Sequence, residues 1–186
     1  MSDETQNGAA AVRQLRALIG KPIGNPAVAP DPVNQPMIRH WAAALEDHNP
    51  VYTDPQSAAS SRFGGIVAPP MMLQTWTMPT AKISGIAARG GAPVEFTANP
   101  LDGLDAAGYI ATLATNSEVE VLRYLRLGEV ITSTMELESV SDEKQTRIGR
   151  GYFFTWLTTY TVGDGEVVGR QRFRIFKFKP GEDPRA

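Results

Sequence analysis

Long runs of β-branched and aromatic residues, ending in a tight hairpin, dominate the second half of the chain. Thr146–Val162 is one such run, Gly163-Asp164-Gly165 supplies a turn, and Glu166–Phe178 alternates apolar and polar side chains. Glycine tolerates the positive φ angles of hairpin turns, and β-branched and aromatic side chains favour strands. The pattern therefore predicts two long antiparallel strands. Ser117–Leu127 and Val130–Val140 alternate in the same way and predict neighbouring strands.

The first half of the chain instead shows helical spacing and capping residues. Ala11–Ile19 places apolar residues on one face of a short helix that follows a disordered segment over residues 1–10. Asn34 is a suitable N-cap for a second helix, which must stop before Pro50 because the residue preceding a proline is disfavoured in the α region. Asp54 is the predicted cap of a third, short helix.

The segment Pro70–Ser84 is apolar on all sides, which is typical of a buried helix. Pro79 is expected to kink it or to end its first half. Ile86–Gly108 is rich in small residues and proline and is predicted as a loop. Helices followed by long antiparallel strands indicate the α+β class. We expect one curved antiparallel sheet wrapped around a central helix.

The chain of 186 residues is the size of one domain. We expect a flexible N-terminus over residues 1–14, a folded domain over 15–180, and a polar tail or linker over 181–186 that could lead to a further domain. No secretory signal is visible, and no apolar stretch approaches the roughly 20 residues that span a membrane. These features predict a soluble cytoplasmic protein that does not bind membranes.

Composition excludes several classes of chemistry. The chain has no cysteine, so disulfides, thiolate metal sites and a cysteine nucleophile are impossible. It has two histidines, His40 and His48, which rules out a histidine-rich metal cage. The formal net charge of −2 gives no electrostatic reason to expect a nucleic acid as partner.

A specific motif lies at Leu45–Met72, where the sequence reads LEDHNPVYTDPQSAASSRFGGIVAPPMM. It resembles the signature of MaoC-like hot-dog hydratases, Gly-Asp-x-Asn-Pro-x-His followed by Phe-Gly and Ile-Ala-His-Gly. The resemblance is greatest to the FAS1-like dehydratase N-terminal domain, as found in the large subunit of actinobacterial steroid side-chain enoyl-CoA hydratases. It covers roughly residues 15 to 180. It implies a single hot-dog domain and a CoA thioester as substrate, with neither a cofactor nor a metal.

Several positions depart from this signature. Glu46 stands where its first glycine is, and Pro69 replaces the histidine of Ile-Ala-His-Gly. Two further departures affect the chemistry. Asp47, Asn49 and Pro50 match it, but Tyr52 replaces the histidine and Pro70 replaces the glycine. In such hydratases the Asp and His act on the water that adds to an enoyl-CoA, and a tyrosine with an ordinary pKa of about 10 is a poor base at neutral pH. Proline lacks the N–H group that would hold the thioester oxygen, and losing one such donor costs about 10²–10³ in rate. We therefore predict a degenerate site with no complete catalytic set of its own.

The motif residues also have simpler interpretations. Asp47 and Asn49 are typical of turns, and Tyr52 could be either a packing residue or a ligand contact. His48 falls at the variable position of the motif, and His40 is expected at a surface or interface. Arg170, Arg172 and Arg174 alternate on a predicted strand, where they form a solvated face or meet the phosphates of CoA. Residues that we retain as candidate substrate contacts are Asn49, Tyr52, Phe63, Gly64, Gly65, Met71 and Trp76.

Three functions remain open from sequence. The first is a non-catalytic or assisting subunit of a heteromeric enoyl-CoA hydratase, whose small hot-dog partner carries the catalytic Asp and His. Its substrate would be a bulky acyl-CoA, such as a steroid side-chain enoyl-CoA of cholesterol degradation, or the (3R)-hydroxyacyl substrate of fatty-acid or mycolic-acid elongation. The second is an acyl-CoA thioesterase, and the third is an acyl-binding module without a catalytic partner.

Overall fold

The computed structural model describes residues 3–79, 84–85 and 100–181, the first four of these as backbone only. Long strands make up most of the second half of the chain, as the alternation predicts. The helices are α1 (Asp3–Arg16), α2 (Gln35–Ala44), α3 (Pro55–Ser60) and α4 (Asp102–Ala106). The strands are β1 (Ala27–Val28), β2 (Ala111–Val121), β3 (Ile131–Val140), β4 (Lys144–Thr146), β5 (Gly149–Val162) and β6 (Glu166–Pro180).

The strands form one antiparallel sheet in the order β1-β3-β5-β6-β2, and β4 pairs with β5 outside this path. Within the strands that the structure describes, β2 therefore lies at the edge of the sheet, and most of its side chains are exposed. The long hairpin of β5 and β6 is the centre of the sheet, and it turns at the predicted glycines Gly163 and Gly165, both with positive φ. The α+β prediction and the antiparallel sheet are confirmed.

The capping predictions are confirmed at two helices. The Asn34 side chain accepts a hydrogen bond from the Met37 N–H at the start of α2, and the Asp54 side chain accepts one from the Gln56 N–H at the start of α3. Both helices have a proline in their first turn, where its missing N–H leaves no hydrogen bond unmade.

The central helix predicted over Pro70–Ser84 is wrong for the residues that are described. Two short 3₁₀ turns, Pro70–Met72 and Thr75–Thr77, occupy residues 70–79 instead. Consecutive prolines at its start, β-branched threonines within it and Pro79 at its end all disfavour a continuous α-helix. Residues 80–83 of this prediction lie outside the described part. Most of the predicted Ile86–Gly108 loop also lies outside the described residues. The described C-terminal part of this segment contains helix α4.

Other boundaries also differ from the predictions. Helix α1 begins at Asp3, in the segment predicted to be disordered, and ends at Arg16. Its side chains Val12 and Leu15 are buried. Strand β2 begins at Ala111, six positions before the predicted start at Ser117, and its described end is Val121. The predicted domain limits stay a prediction. In the described part of the chain, no helix is long and apolar enough to cross a membrane.

Two apolar clusters pack on one face of the sheet. The first lies beneath the 3₁₀ turns, where Met72, Leu73 and Trp76 pack with Ile131 and Val168. The second lies beneath α1 and α4, with members Leu15, Leu104, Tyr109, Phe154 and Trp156. The central turns therefore cover one half of the sheet and the terminal helices cover the other.

Gly169 makes the close approach between the central turns and the sheet possible. A Cβ atom at this position would lie 2.6 Å from Leu73 Cδ2 and 2.7 Å from the Glu120 carbonyl oxygen. Contacts that short require the backbone or Leu73 to shift.

We therefore expect Gly169→Ala to lower the free energy of unfolding by about 1–3 kcal/mol, the usual cost of overpacking. Gly65→Ala is the matched control, because a Cβ there meets nothing within 4 Å. Urea unfolding of the two variants and the wild type measures the difference. Equal stability of the two variants would show that the turns can move away from the sheet without cost.

Candidate functional site

The C-terminal end of helix α2 sets the position of the motif loop. The Glu46 N–H donates to the Ala43 carbonyl (3.2 Å) and the Asp47 N–H donates to the Ala42 carbonyl (2.9 Å). These two bonds form a Schellman motif, whose C′ residue usually is a glycine in the left-handed conformation. Glu46 has a φ of 53° and takes that role without being glycine. This is the position where the signature has its Gly, so the backbone shape is kept although the residue has changed.

Asp47 and Asn49 both bond to the backbone of their own loop. The Asp47 Oδ1 atom accepts a hydrogen bond from the Asn49 N–H at 3.0 Å, and the Asn49 Oδ1 atom accepts one from the Val51 N–H at 3.3 Å. These are Asx turns, which explain why Asp and Asn occur at this spacing. Asp47 is half-buried and Asn49 is exposed, so their remaining polar atoms can still meet a ligand.

Tyr52 ends the 3₁₀ turn Pro50–Tyr52 and is buried, with 6% of its surface exposed. Its carbonyl accepts a hydrogen bond from Gln35 Nε2 at 2.8 Å, which anchors the turn to the start of α2. Burial raises the pKa of the Tyr52 phenol above its ordinary value, and the nearby Tyr124 and Asp47 raise it further. The hydrogen bond with the Asn49 side chain acts in the opposite direction. The phenol is therefore a hydrogen-bond donor rather than a base at neutral pH.

Phe63 and Tyr124 contact each other beside the motif loop, with ring centroids 4.6 Å apart. The Arg62 guanidinium lies 4.8 Å from the centroid of the Phe63 ring. Gly64 has a φ of 69°, which completes the turn after Phe63. Tyr124 is thus a neighbour of two predicted site residues, Tyr52 and Phe63. Sequence reasoning missed it because alternation placed it in a strand, and only the fold brings it to the motif.

Residues 122–130 form the loop that carries Tyr124 to the site. Arg123 holds this loop closed by ion pairs with Glu129 (2.8 Å) and Glu166 (2.7 Å). Hydrogen bonds to the two carboxylates raise the pKa of Arg123 above its ordinary value, so it stays charged. The Leu125 carbonyl accepts from the Ala68 N–H at 2.9 Å. This bond links the loop to the Val67-Ala68 part of the motif.

An open cleft of about 760 Å³ lies on the other side of this loop, at the tip of the β5–β6 hairpin. Arg123 lines it together with the acidic side chains of Glu129, Asp164 and Glu166. The arginine is already paired and the other charges are negative, so the cleft is poorly suited to the phosphates of CoA.

Pro70 begins the first of the two central 3₁₀ turns. The Met72 N–H donates to the Pro69 carbonyl (3.0 Å) and the Leu73 N–H donates to the Pro70 carbonyl (3.2 Å). Pro70 itself has no N–H, so the donor that the signature's glycine would supply is absent from this backbone position. Trp76 is buried, whereas Met71 is exposed and lines a small separate cavity near β2.

The structure therefore groups Asp47, Asn49, Tyr52 and Phe63 in one region, with Trp76 in the same core cluster as Tyr52. Gly64 and Gly65 form the adjoining turn, and Met71 is exposed and lines the cavity near β2. His40 and His48 are exposed. Whether the grouped residues contact a substrate stays a prediction. Within residues 3–79, 84–85 and 100–181, no group of three or more His, Asp or Glu side chains could hold a metal ion.

The three arginines of β6 each have a partner on the sheet. Arg170 pairs with Glu120 (3.4 Å) and Arg172 with Glu138 (2.7 Å). The Arg174 guanidinium lies 4.4 Å from the centroid of the Phe153 ring. These contacts favour the solvated face over the phosphate-binding alternative.

An antiparallel sheet packed against a buried central segment, together with an Asp-x-Asn-Pro loop, is the arrangement expected of a hot-dog domain. The family model for the FAS1-like dehydratase domain region matches residues 17–171, and the chain belongs to this family. The similarity of the chain to a solved structure supports the same fold. The ChsH1-ChsH2 complex from Mycobacterium tuberculosis contains a chain that is 40% identical, with a TM-score of 0.78 and coverage of 97% of this chain and 96% of that chain.

More distant structures share the fold alone. A MaoC-like dehydratase from Rhodospirillum rubrum is 16% identical with a TM-score of 0.56, and it covers 86% of this chain and 94% of its own. The (R)-hydratase from A. caviae is 17% identical with a TM-score of 0.52, and it covers 82% of this chain and 94% of its own. The hot-dog prediction is confirmed by these likenesses.

Two curated relatives are more similar in sequence. A probable enoyl-CoA hydratase alpha subunit of Thermomonospora curvata is 42% identical over 170 residues, which is 90% of this chain and 52% of the relative. The 3-oxo-4,17-pregnadiene-20-carboxyl-CoA hydratase alpha subunit of Mycobacterium tuberculosis is 42% identical over 160 residues, which is 86% of this chain and 49% of the relative. The chain thus spans about half the length of these relatives.

The raised pKa of Tyr52 has a consequence for stability at high pH. An acid with a higher pKa in the folded than in the unfolded chain contributes stability that is complete below its unfolded pKa, about 10 for tyrosine, and lost as the pH rises through the folded value. We expect the free energy of unfolding to fall more steeply above about pH 10 in the wild type than in Tyr52→Phe. Urea unfolding at a series of pH values measures both slopes.

The comparison isolates Tyr52. The pKa values of Tyr109 and Tyr160 are also raised, in both cases mainly by burial, but these residues are present in both proteins. Parallel pH profiles of the wild type and the variant would show that the phenol of Tyr52 is free to ionise.

Proposed function

We propose that this chain is the assisting hot-dog subunit, or a part of that subunit, in a heteromeric enoyl-CoA hydratase. The observation that carries the proposal is the state of Tyr52, which stands at the histidine position of the signature as a buried phenol with a raised pKa. Hydration of an enoyl-CoA needs a base that takes a proton from water while the water oxygen bonds to carbon 3. A base for this task should have a pKa near neutral. The pKa of Tyr52 is instead raised above the ordinary value for tyrosine, which is already too high.

The missing donor at Pro70 supports the same proposal. As charge develops on the thioester oxygen during water addition, a preorganised N–H group stabilises it. Pro70 cannot supply one, and the turn that it begins is a single 3₁₀ turn rather than a long helix with a dipole to contribute. Two different requirements of the reaction therefore fail at two positions that are 18 residues apart in the sequence. A partner hot-dog subunit would supply the Asp and the His. Activity measured with and without this partner tests the proposal.

Strand β2 is the surface that we assign to this partner. It is an edge strand of 11 residues, and its side chains are mostly exposed, including Leu113. Among the described residues this edge has no further strand beside it, and an edge of this length offers a row of backbone donors and acceptors to another sheet. The opposite edge strand, β1, has only two residues and is too short for the same purpose. Joining of two hot-dog sheets through β2 would bring the partner's residues near the acyl group.

For the substrate, we propose a bulky acyl-CoA, in particular a steroid side-chain enoyl-CoA formed during cholesterol degradation. The relative that is named a pregnadiene-carboxyl-CoA hydratase alpha subunit supports this choice over linear acyl chains. The CoA thioester is the substrate, so no cofactor is proposed, and the cytoplasm remains the proposed location.

We expect the purified chain alone to show only background hydration of an enoyl-CoA. Mixing it with a small hot-dog subunit that carries an intact Asp/His pair is expected to raise the rate at least 100-fold, because a general base and an oxyanion donor each contribute about 10²–10³. Absorbance of the enoyl thioester measures the rate. A histidine replacement in the partner should abolish it, whereas the double variant His40→Ala/His48→Ala of this chain should not. Full activity of the chain alone would contradict the proposal.

We expect Leu113→Asp to weaken association with the partner at least tenfold, because it places a charge on the edge that the two sheets share. Val28→Asp is the matched control on the opposite edge strand, where an exposed apolar side chain receives the same change. Analytical ultracentrifugation of each variant with the partner gives the dissociation constants. Equal weakening by both variants, or by neither, would argue against β2 as the interface.

A further inference from the structure

A polar cluster links four elements at the β2 side of the sheet. The Tyr160 hydroxyl on β5 donates to Gln171 Oε1 on β6 at 3.0 Å. The Gln171 Nε2 group in turn donates to Gln74 Oε1, between the two central turns, at 2.9 Å, and to Ser117 Oγ on β2 at 3.1 Å. The cluster therefore joins the central turns to the sheet by side-chain hydrogen bonds.

The buried phenol of Tyr160 determines which groups of the cluster donate and which accept hydrogen bonds. Tyr160 is only 3% exposed, and burial raises its pKa to about 12, so its O–H group stays protonated and needs an acceptor. Gln171 Oε1 is that acceptor. If the Gln171 amide were reversed, its NH₂ group would face the phenol and the O–H group would lose this acceptor. The NH₂ group must therefore point toward Gln74 and Ser117.

Two donors result at the outer end of the cluster. The Gln74 carbonyl oxygen and the Ser117 oxygen both accept from Gln171, which leaves the Gln74 NH₂ group and the Ser117 hydroxyl hydrogen free to donate. Neither group has an acceptor among the described residues, and both residues are exposed. The cluster thus presents donors to whatever approaches from outside.

A cavity of about 50 Å³ adjoins these donors. Met71, Leu73 and Val119 give it apolar walls, and no charged side chain of the described residues lines it. Its volume admits one or two groups the size of water, which take about 30 Å³ each, but not a ring. Neutral donors beside apolar walls favour a neutral acceptor over a phosphate or a carboxylate. A carbonyl oxygen meets these requirements.

We infer that Gln74 and Ser117 bind a carbonyl oxygen of the acyl-CoA substrate, with Gln171 and Tyr160 as positioning residues. The inference rests on the proposed function, since it assumes a CoA thioester. Met71 lines the cavity and follows Pro70, the residue at the signature's glycine position, so the cavity adjoins the same short turn. The carbonyl belongs either to an amide of the pantetheine arm or to a ketone on the acyl group, and the experiment separates these sources.

The test measures binding to the full chain by calorimetry with three probes. These are CoA itself, a saturated steroid-carboxyl-CoA, and the same ester with a ring ketone. Gln171→Glu is the main variant, because a carboxylate only accepts and so draws the Ser117 hydroxyl and the Gln74 NH₂ group inward. Gln145→Glu on β4 is the matched control, since it makes the same charge change at an exposed glutamine. Ser117→Ala removes one donor without a charge change and serves if Gln171→Glu does not fold.

We expect Gln171→Glu to weaken binding about tenfold relative to Gln145→Glu, as for one lost hydrogen bond. Weaker binding of all three probes would assign the carbonyl to the pantetheine arm. Weaker binding of the keto ester alone would assign it to the acyl group. If Gln171→Glu and Ser117→Ala bind every probe as the control does, the inference is wrong while the proposed function stands. If the wild type binds none of the three probes, either alone or mixed with the small hot-dog subunit, both the inference and the proposed function are wrong.

Discussion

The pairing of β5 with β6 is the interaction on which the other elements depend. The two strands remain paired from Gly149 and Pro180 to Val162 and Glu166, with one irregularity between Tyr160 and Thr161. At this irregularity the Val168 carbonyl accepts hydrogen bonds from the Leu122 and Arg123 N–H groups, which direct the chain out of β2 and into the loop carrying Tyr124. A bulge in the central hairpin thus determines where an aromatic side chain of the candidate site lies.

The sequence was sufficient wherever the determining interactions are local. Asn34 and Asp54 cap helices through their own side chains, and the glycines at 163 and 165 supply the φ angles that the hairpin requires. The class of the fold followed from strand alternation and from the motif. In each case the decisive contact lies within a few residues of the pattern that predicts it.

Prediction from sequence failed where composition or alternation fits more than one element, and where the contacts are distant in sequence. The apolar composition after Pro70 predicted a helix. Composition cannot distinguish a buried helix from buried 3₁₀ turns, and here the prolines favour the turns. Alternation placed Tyr124 in a strand, although the ion pairs of Arg123 with Glu129 and Glu166 hold that segment as a loop. The cluster of Tyr160, Gln171, Gln74 and Ser117 joins residues from four elements, and no local spacing indicates it.

The backbone of the motif loop has a further consequence. Glu46 occupies a left-handed conformation that costs most residues about 1–2 kcal/mol, and Asp47 and Asn49 bond to the loop itself. The loop therefore retains its shape mainly through bonds to its own backbone, which do not require a histidine at position 52. Shape and reactivity are separable in this segment, which makes the loop a unit that could be exchanged between subunits. In the pairing proposed above, two domains with loops of the same form would differ in their chemistry through single side chains.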